Sequence, residues 1–320
     1  MTTLPICAIL DDYQNAALTS ADWSAVSSFM ELRRFDTHLG GHDDVVAALQ
    51  GCSVVVAMRE RTPFPADVLS RLPDLRLLVT TGMRNRSIDL EAARKLGIVV
   101  CGTRGEASSA SELAWAGLLA FMRQLPQEVA NFRAGGPWQT GLGRSLQGLR
   151  LGIVGLGKQG RAVARFGQAF GMDVCGWTRQ DPHARAAELG ISALSLDTLF
   201  ATSDVVMIQL VLTDQTRGFV GRDLLARMKP DAVLVNTSRG PIVEEAALID
   251  ALAAQRIGGA VLDVFDAEPL PLDHPFRSLT NVLATPHVGY VTEQNYATYY
   301  TDAVEDILSW QAGRPLRALT

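Results

Sequence analysis

The sequence predicts an α/β protein built on parallel sheets, and three observations predict it. Short uninterrupted runs of Val, Ile and Leu recur along the chain. A strand covered on both faces has no solvent side to fill with polar residues, so such runs read as buried parallel strands. Segments of helical character separate most of them, and strand alternating with helix makes consecutive strands lie parallel. The chain has 320 residues, long for one hydrophobic core and natural for two domains.

Taken in order, the strand-like runs are Ile6–Leu10, Val54–Met58, Leu75–Thr81, Ile98–Cys101, Leu149–Gly155, Met172–Trp177, Asp204–Leu210, Ala232–Thr237, Gly259–Phe265 and Asn281–Ala284. The helix-like segments among them are Ala66–Leu72, Asp89–Leu96, Gly160–Phe170, Asp223–Met228 and Glu244–Gln255. Two longer helices stand apart. Ser109-Ala-Ser-Glu112 has the spacing of a capping box, and the helix it opens runs toward Arg123, where Pro126 interrupts or kinks it. The other runs from about Thr292 to Gln311 and stops at Gly313 and Pro315. Gly135–Gly143, rich in glycine, reads as an exposed arm.

Hydrophobic residues make up 48% and charged residues 20%, an ordinary globular balance that excludes disorder. The net charge is −5 with no block of like charge, which argues against nucleic acid as a partner. No apolar run approaches the ~20 residues of a membrane helix. The start Met-Thr-Thr-Leu-Pro lacks the pattern of a secretion signal, so a cytoplasmic protein is expected. Cys7, Cys52, Cys101 and Cys175 form no C-x-x-C pair and have no histidine at ligand spacing. They read as small buried hydrophobes in a reducing compartment, and no metal is expected.

Leu151-Gly-Ile-Val-Gly155-Leu-Gly157-Lys-Gln-Gly160 fits G-x-G-x-x-G between an apolar strand and an apolar helix. That context makes it a dinucleotide fingerprint. Gly155 allows the tight turn, Gly157 lets backbone approach a pyrophosphate, and Gly160 permits close packing of helix on strand. The free N–H groups of the helix start, around Lys158 and Gln159, then face the phosphates. Folds of this kind that prefer NAD carry an acid about 20 residues later, on the ribose 2′-hydroxyl. Here the strand ends Gly176-Trp-Thr178-Arg179. A carboxylate would repel a 2′-phosphate and an arginine pairs with it, so NAD or NADP is expected, leaning to NADP or dual use.

Three polar residues follow strands in the second half: Arg239 after Val235-Asn-Thr-Ser, Glu268 after Val261-Leu-Asp-Val-Phe-Asp-Ala, and His287 after Val282-Leu-Ala-Thr-Pro. Ligands of open parallel sheets bind beyond the carboxyl ends of strands, where the glycine turn also lies. Reduction of a 2-oxo acid needs these parts. Histidine, with an unperturbed pKa of ~6.5, can give a proton to the carbonyl oxygen. A carboxylate orients the ring, and an arginine grips the substrate carboxylate through two parallel hydrogen bonds.

The stretches Asn236-Thr-Ser-Arg-Gly-Pro-Ile-Val-Glu-Glu-Ala-Ala-Leu, Gly259-Ala-Val-Leu-Asp-Val-Phe-Asp-Ala-Glu-Pro-Leu and Thr285-Pro-His-Val-Gly closely resemble the D-isomer-specific 2-hydroxyacid dehydrogenase family. The resemblance covers nearly the whole chain and is most specific from Gly155 to Gly289. It implies that Arg239 binds the substrate carboxyl and carbonyl, that His287 is the acid/base with Glu268 as its partner, and that Asp263 bonds the nicotinamide carboxamide. It makes Leu212–Arg217, with Thr213, a cofactor loop. It implies a Rossmann-type doubly wound domain, 104–287, inserted into a discontinuous flavodoxin-like substrate domain of 1–103 and 288–320. The two long helices would cross between the domains, a hinge would close the cleft, and the arm and first long helix would build a homodimer.

The sequence departs from the family pattern in the substrate loop, Thr81–Asp89. Gly82, Met83 and Arg84 fall where backbone N–H groups meet the substrate carboxylate, and Arg84 replaces a usual glycine. The cation there either favours an acidic or bulky acyl group or points to solvent. Arg59, after the strand ending at Met58, is a further candidate for the cleft. Lys158-Gln159 replaces the more usual Arg-Ile, with little effect expected, since the contacts there are to backbone. Two other readings share the fold: a nucleotide-sensing corepressor or scaffold, and a formate-type dehydrogenase. The latter carries Gln where Glu268 stands, and the acidic balance counts against the former. Glyoxylate, hydroxypyruvate, phosphoglycerate and phenylpyruvate types share the machinery, so the substrate is left open within small 2-oxo and 2-hydroxy acids.

Overall fold

A computed structural model describes residues 4–106 and 108–320. The chain divides into two compact units, Met1–Glu106 with Val291–Thr320, and Ala107–Tyr290.

The first unit holds five parallel strands: β1 (Ile6–Ile9), β2 (Glu31–Arg34), β3 (Cys52–Ala57), β4 (Leu77–Thr80) and β5 (Val99–Gly102). Their order is β2-β1-β3-β4-β5, the flavodoxin-like arrangement. The sequence reading missed β2, Glu-Leu-Arg-Arg. It is an edge strand, partly exposed, and does not need an apolar run. The helix His42–Ala48 gives no apolar stripe either, because only its Val45 and Val46 are buried. Helix Glu293–Gln311 belongs to this unit and packs against β4; the Thr292 hydroxyl caps it by accepting from the Asn295 N–H. The chain end then returns to the free edge of β5. Leu319 N–H donates to the Val100 carbonyl at 2.7 Å, and Ala318 bridges Cys101 antiparallel.

The second unit holds seven parallel strands: β6 (Arg150–Val154), β7 (Asp173–Trp177), β8 (Ser192–Ala193), β9 (Val205–Ile208), β10 (Val233–Asn236), β11 (Gly259–Leu262) and β12 (Val282–Ala284). Their order is β12-β11-β10-β9-β6-β7-β8. One face packs on helices Ser108–Met122 and Lys158–Ala169 around Leu151, Ile153, Met207 and Val235. The other packs on helices Leu196–Thr202 and Glu245–Ala253 around Val206, Leu234 and Leu262. This is the doubly wound Rossmann arrangement. Its strand order reverses between β6 and β9, so a crevice forms at the glycine turn.

Ser108 is already helical, so Ser109 lies within the first long helix and not at its cap. That helix ends at Met122; Gln124 takes a left-handed conformation, φ 53°, and a second helix, Leu125–Arg133, begins. Pro126 sits in the first turn of the new helix, where its missing N–H costs nothing. The arm after it folds back: Glu128 accepts from the backbone of Thr140 and Gly141 at 3.1 and 3.0 Å. All four cysteines are free and buried, one each in β1, β3, β5 and β7. Among the described residues no helix is long and apolar enough to cross a membrane, and no cluster of His, Cys, Asp and Glu could hold a metal ion.

Candidate active site at the carboxyl edge of the seven-stranded sheet

The glycine turn follows β6 directly. Gly155 has φ +107°, and a Cβ there would lie 2.4 Å from the Gln209 carbonyl oxygen. A Cβ on Gly160 would lie 2.0 Å from the Gly155 oxygen, so the helix can approach the strand only because this residue is glycine. At Gly157 a Cβ would meet nothing within 4 Å. Helix Lys158–Ala169 starts there with no side-chain cap, and Gly157 and Lys158 are exposed. Uncapped N–H groups in front of open space fit an anion, so these residues suit a pyrophosphate.

Next to the turn, β7 ends at Trp177, and its carbonyl accepts from the Gly155 N–H at 2.8 Å. Arg179 is exposed and its guanidinium bonds the Gln215 side-chain oxygen. Gln215 belongs to a compact turn in which Thr213 N–H donates to Thr216 Oγ1 at 2.7 Å and Arg217 N–H donates to the Thr213 carbonyl at 2.9 Å. Thr178 and Arg179 therefore stand beside the loop that carries Thr213.

Arg239 follows β10 in extended backbone and is half-buried. Asn236 holds this turn: its amide donates to the Arg239 carbonyl at 3.0 Å, and its oxygen accepts from Ser238 N–H at 3.1 Å. Gly240 presses on the next segment, since a Cβ there would lie 2.1 Å from the Phe265 carbonyl carbon. Phe265 N–H in turn donates to Glu268 Oε1 at 2.9 Å, which leaves the other oxygen for His287 Nδ1 at 2.5 Å. An ionised carboxylate only accepts, so beside an ionised Glu268 the proton sits on Nδ1 and Nε2 is the other ring nitrogen. The His287 side chain is 20% exposed and its ring meets Tyr290 edge-on at 5.4 Å.

The sequence reading gave Asp263 only a cofactor contact, but the structure shows a further task. Asp263 Oδ1 accepts from Thr285 Oγ1 at 2.6 Å and Val288 N–H at 2.8 Å, and Oδ2 accepts from Gly289 N–H at 2.8 Å. It thus clamps both flanks of His287, whose own backbone is left-handed at φ 52°. Burial pushes the Asp263 carboxyl up, against the pull of those donors and of His287. An aspartate inside Val261-Leu-Asp-Val was the available signal. These bonds also keep Val288 and Gly289 with the second unit.

In the first unit, Gly82 has φ +91° and its N–H donates to Thr103 Oγ1 at 2.9 Å. Met83 and Arg84 are exposed. Arg59, itself at φ 52°, donates from Nη1 to the Thr81 carbonyl at 3.1 Å. A Cβ on Gly82 would lie 1.8 Å from that same nitrogen. Arg59 is thus packed onto the loop that holds Gly82, a link which sequence spacing does not reveal.

A profile of the D-isomer specific 2-hydroxyacid dehydrogenase, NAD binding domain matches residues 115–289. The chain is 38% identical to the glyoxylate reductase of Aeropyrum pernix over 258 residues, 78% of this chain and 77% of that protein. It is 34% identical to the D-3-phosphoglycerate dehydrogenase of Mycobacterium tuberculosis over 97% of its length, and it spans 58% of that longer protein. Among solved structures, the phosphoglycerate oxidoreductase from Vibrio cholerae matches with a TM-score of 0.92 at 36% identity, covering 97% of this chain and 100% of that one.

Proposed function

Because the chain belongs to the D-isomer specific 2-hydroxyacid dehydrogenase family, whose members are NAD-dependent oxidoreductases, we propose that it interconverts a small 2-oxo acid and its D-2-hydroxy acid with His287 as acid/base. The observation that supports this most is the 2.5 Å contact between His287 Nδ1 and Glu268 Oε2. When bound, the nicotinamide supplies or takes the hydride. The protein's own residues do the rest. Glu268 fixes the ring and its tautomer, so that Nε2 delivers a proton to the carbonyl oxygen or removes it from the hydroxyl. Arg239 takes the substrate carboxylate through two parallel hydrogen bonds. Gly155, Gly157, Lys158, Gln159 and Gly160 hold the pyrophosphate, with Thr178, Arg179 and Thr213 on the adenosine side.

The substrate reading is a short 2-oxo acid of the glyoxylate, hydroxypyruvate or phosphohydroxypyruvate class, as the names of the relatives suggest. The cofactor reading is NADP beside NAD, since Thr178 stands where an acid would exclude a 2′-phosphate and Arg179 follows it. Four buried free thiols suit a reducing cytoplasm. A panel of 2-oxo acids with NADH and NADPH tests these readings. Turnover of at least one short 2-oxo acid is expected, and His287→Ala or Arg239→Ala lowers it by at least ~10²-fold. Activity surviving both changes overturns the roles, and strict NADH preference overturns the cofactor reading.

A further inference from the structure

Glu268 stands on an exposed loop, a weak place for a group that must hold an imidazole in one orientation. Residues 266–269 and 271–273 are exposed, and Leu270 between them is half-buried. Loops with few buried contacts open easily, so this one needs ties. Some are local: Arg277 donates from Nε to the Pro271 carbonyl at 2.8 Å and from Nη2 to the Leu270 carbonyl at 2.7 Å.

Glu245 ties both ends of the loop to a distant segment. Its Oε2 accepts from the Asp266 N–H at 3.3 Å, where the loop begins. Its Oε1 lies 3.2 Å from His274 Nε2, where the loop ends. His274 Nδ1 accepts from the Phe276 N–H at 3.3 Å, so the ring proton sits on Nε2 and points to Glu245. The His274 ring packs on Phe276 at 4.9 Å, and Phe276 on Phe265 at 6.2 Å. Asp266 follows Phe265, whose own N–H holds Glu268 Oε1 at 2.9 Å. The N–H that Glu245 pins and the N–H that orients Glu268 are therefore neighbours in the chain.

The anchor itself is firm. Glu245 opens helix Glu245–Ala253, whose Ala247, Leu248, Ala251 and Leu252 are buried. A carboxylate in a helix's first turn is favoured by the positive end of the helix dipole. The same segment carries Arg239, with Gly240, Ile242 and Val243 buried in between. We infer that Glu245, with His274, is a positioning residue that holds the loop so that Glu268 meets His287 at a fixed place relative to Arg239. Its catalytic consequence rests on the proposed function; its geometry does not.

Nitrogen NMR of the histidine-labelled chain at about pH 8, where imidazoles are mostly neutral, reads the tautomer of each ring without any turnover. His287→Gln and His274→Leu assign the two signals. In the wild type His287 is expected to carry its proton on Nδ1 and His274 on Nε2. Glu245→Met removes both ties, so His287 is expected to show a mixture of tautomers, and kcat to fall about tenfold with KM little changed. In a Glu268→Gln background the same change is expected to cost no further kcat, because both act through one ring. A full additional loss there overturns the inference, as does a Glu245→Met protein with the wild-type His287 tautomer and kcat. So does a lower melting temperature with the tautomer unchanged, which marks a purely structural role. If Glu245→Met does not melt cooperatively, Glu245→Gln and His274→Leu decide, since each keeps one tie and should lower kcat about threefold. Wild-type tautomer and kcat in both overturn the inference. A wild type with no turnover but with the tautomer change on Glu245→Met overturns the proposed function and supports the positioning role.

Discussion

His287 depends on three neighbours that act in different ways. Glu268 holds its Nδ1, Asp263 holds the backbone on either side, and Tyr290 packs on the ring edge. Of these, Glu268 alone bonds a ring nitrogen and so, on the proposed reading, sets which nitrogen is left to work. Glu268→Gln keeps the shape, but its amide can present a donor to Nδ1 and so stabilise the opposite tautomer. That variant is expected to lower kcat by on the order of 10²-fold while KM changes little, measured by steady-state kinetics. A Glu268→Gln enzyme with wild-type kcat would show that the ring needs no orientation from this carboxylate.

At the scale of elements, two fully buried aspartates one turn apart tie helix Glu293–Gln311 to Arg104 and to the chain end. Asp302 takes Arg104 Nη2 at 2.6 Å and Arg104 backbone N–H at 2.7 Å. Burial raises its pKa, but these bonds prevail and hold the carboxyl below its ordinary range. Asp306 has Arg317 Nε at 3.1 Å. Burial prevails there, aided by Asp302 and Glu305, and pushes the carboxyl up to about 7. The folded unit thus favours protonated Asp306. Its contribution is complete below about pH 4, where the unfolded carboxyl is also protonated, and is lost as pH rises through about 7. The loss has a limiting slope of ~1.4 kcal/mol per pH unit. Asp306→Asn removes this titration. Its melting temperature is expected to fall less than that of the wild type between pH 5 and pH 8. Equal slopes would mean that Asp306 stays ionised in the fold.

At the scale of the whole molecule, the arm presents apolar surface that a lone chain gains nothing by exposing. Phe132 is 70% exposed, Trp138 82% and Leu142 93%, and Phe132 meets Trp138 edge-on at 6.4 Å. Helix Leu125–Arg133 adds Leu125 and Val129 to the same stretch of chain. Burial of large aromatic side chains is a strong drive for association, so we propose that two copies pair through this region. Sedimentation velocity is expected to give twice the 34.5 kDa chain mass, and Phe132→Ser with Trp138→Ser to give monomers. A wild-type protein that sediments as one chain overturns the dimer.

Features written into local pattern are legible in the residues alone. Apolar runs marked ten of the strands, because a strand buried on both faces has to be apolar. The glycine spacing marked the turn after β6, because only glycine fits at Gly155 and Gly160. Arg239, Glu268 and His287 were legible because each follows a strand. Features that depend on which neighbour meets which residue were not. The edge strand β2 carries polar residues, since solvent covers it, and gives no apolar signal. Arg59 reads only as a candidate for the cleft, and packing lays it on Gly82. Glu245 reads as an ordinary helix start and His274 as a loop histidine. Only the packing of helix against loop sets the two together and ties the loop of Glu268. Local pattern follows from one residue's own burial, whereas these contacts follow from the pairing of segments distant in sequence, which the tertiary structure alone decides.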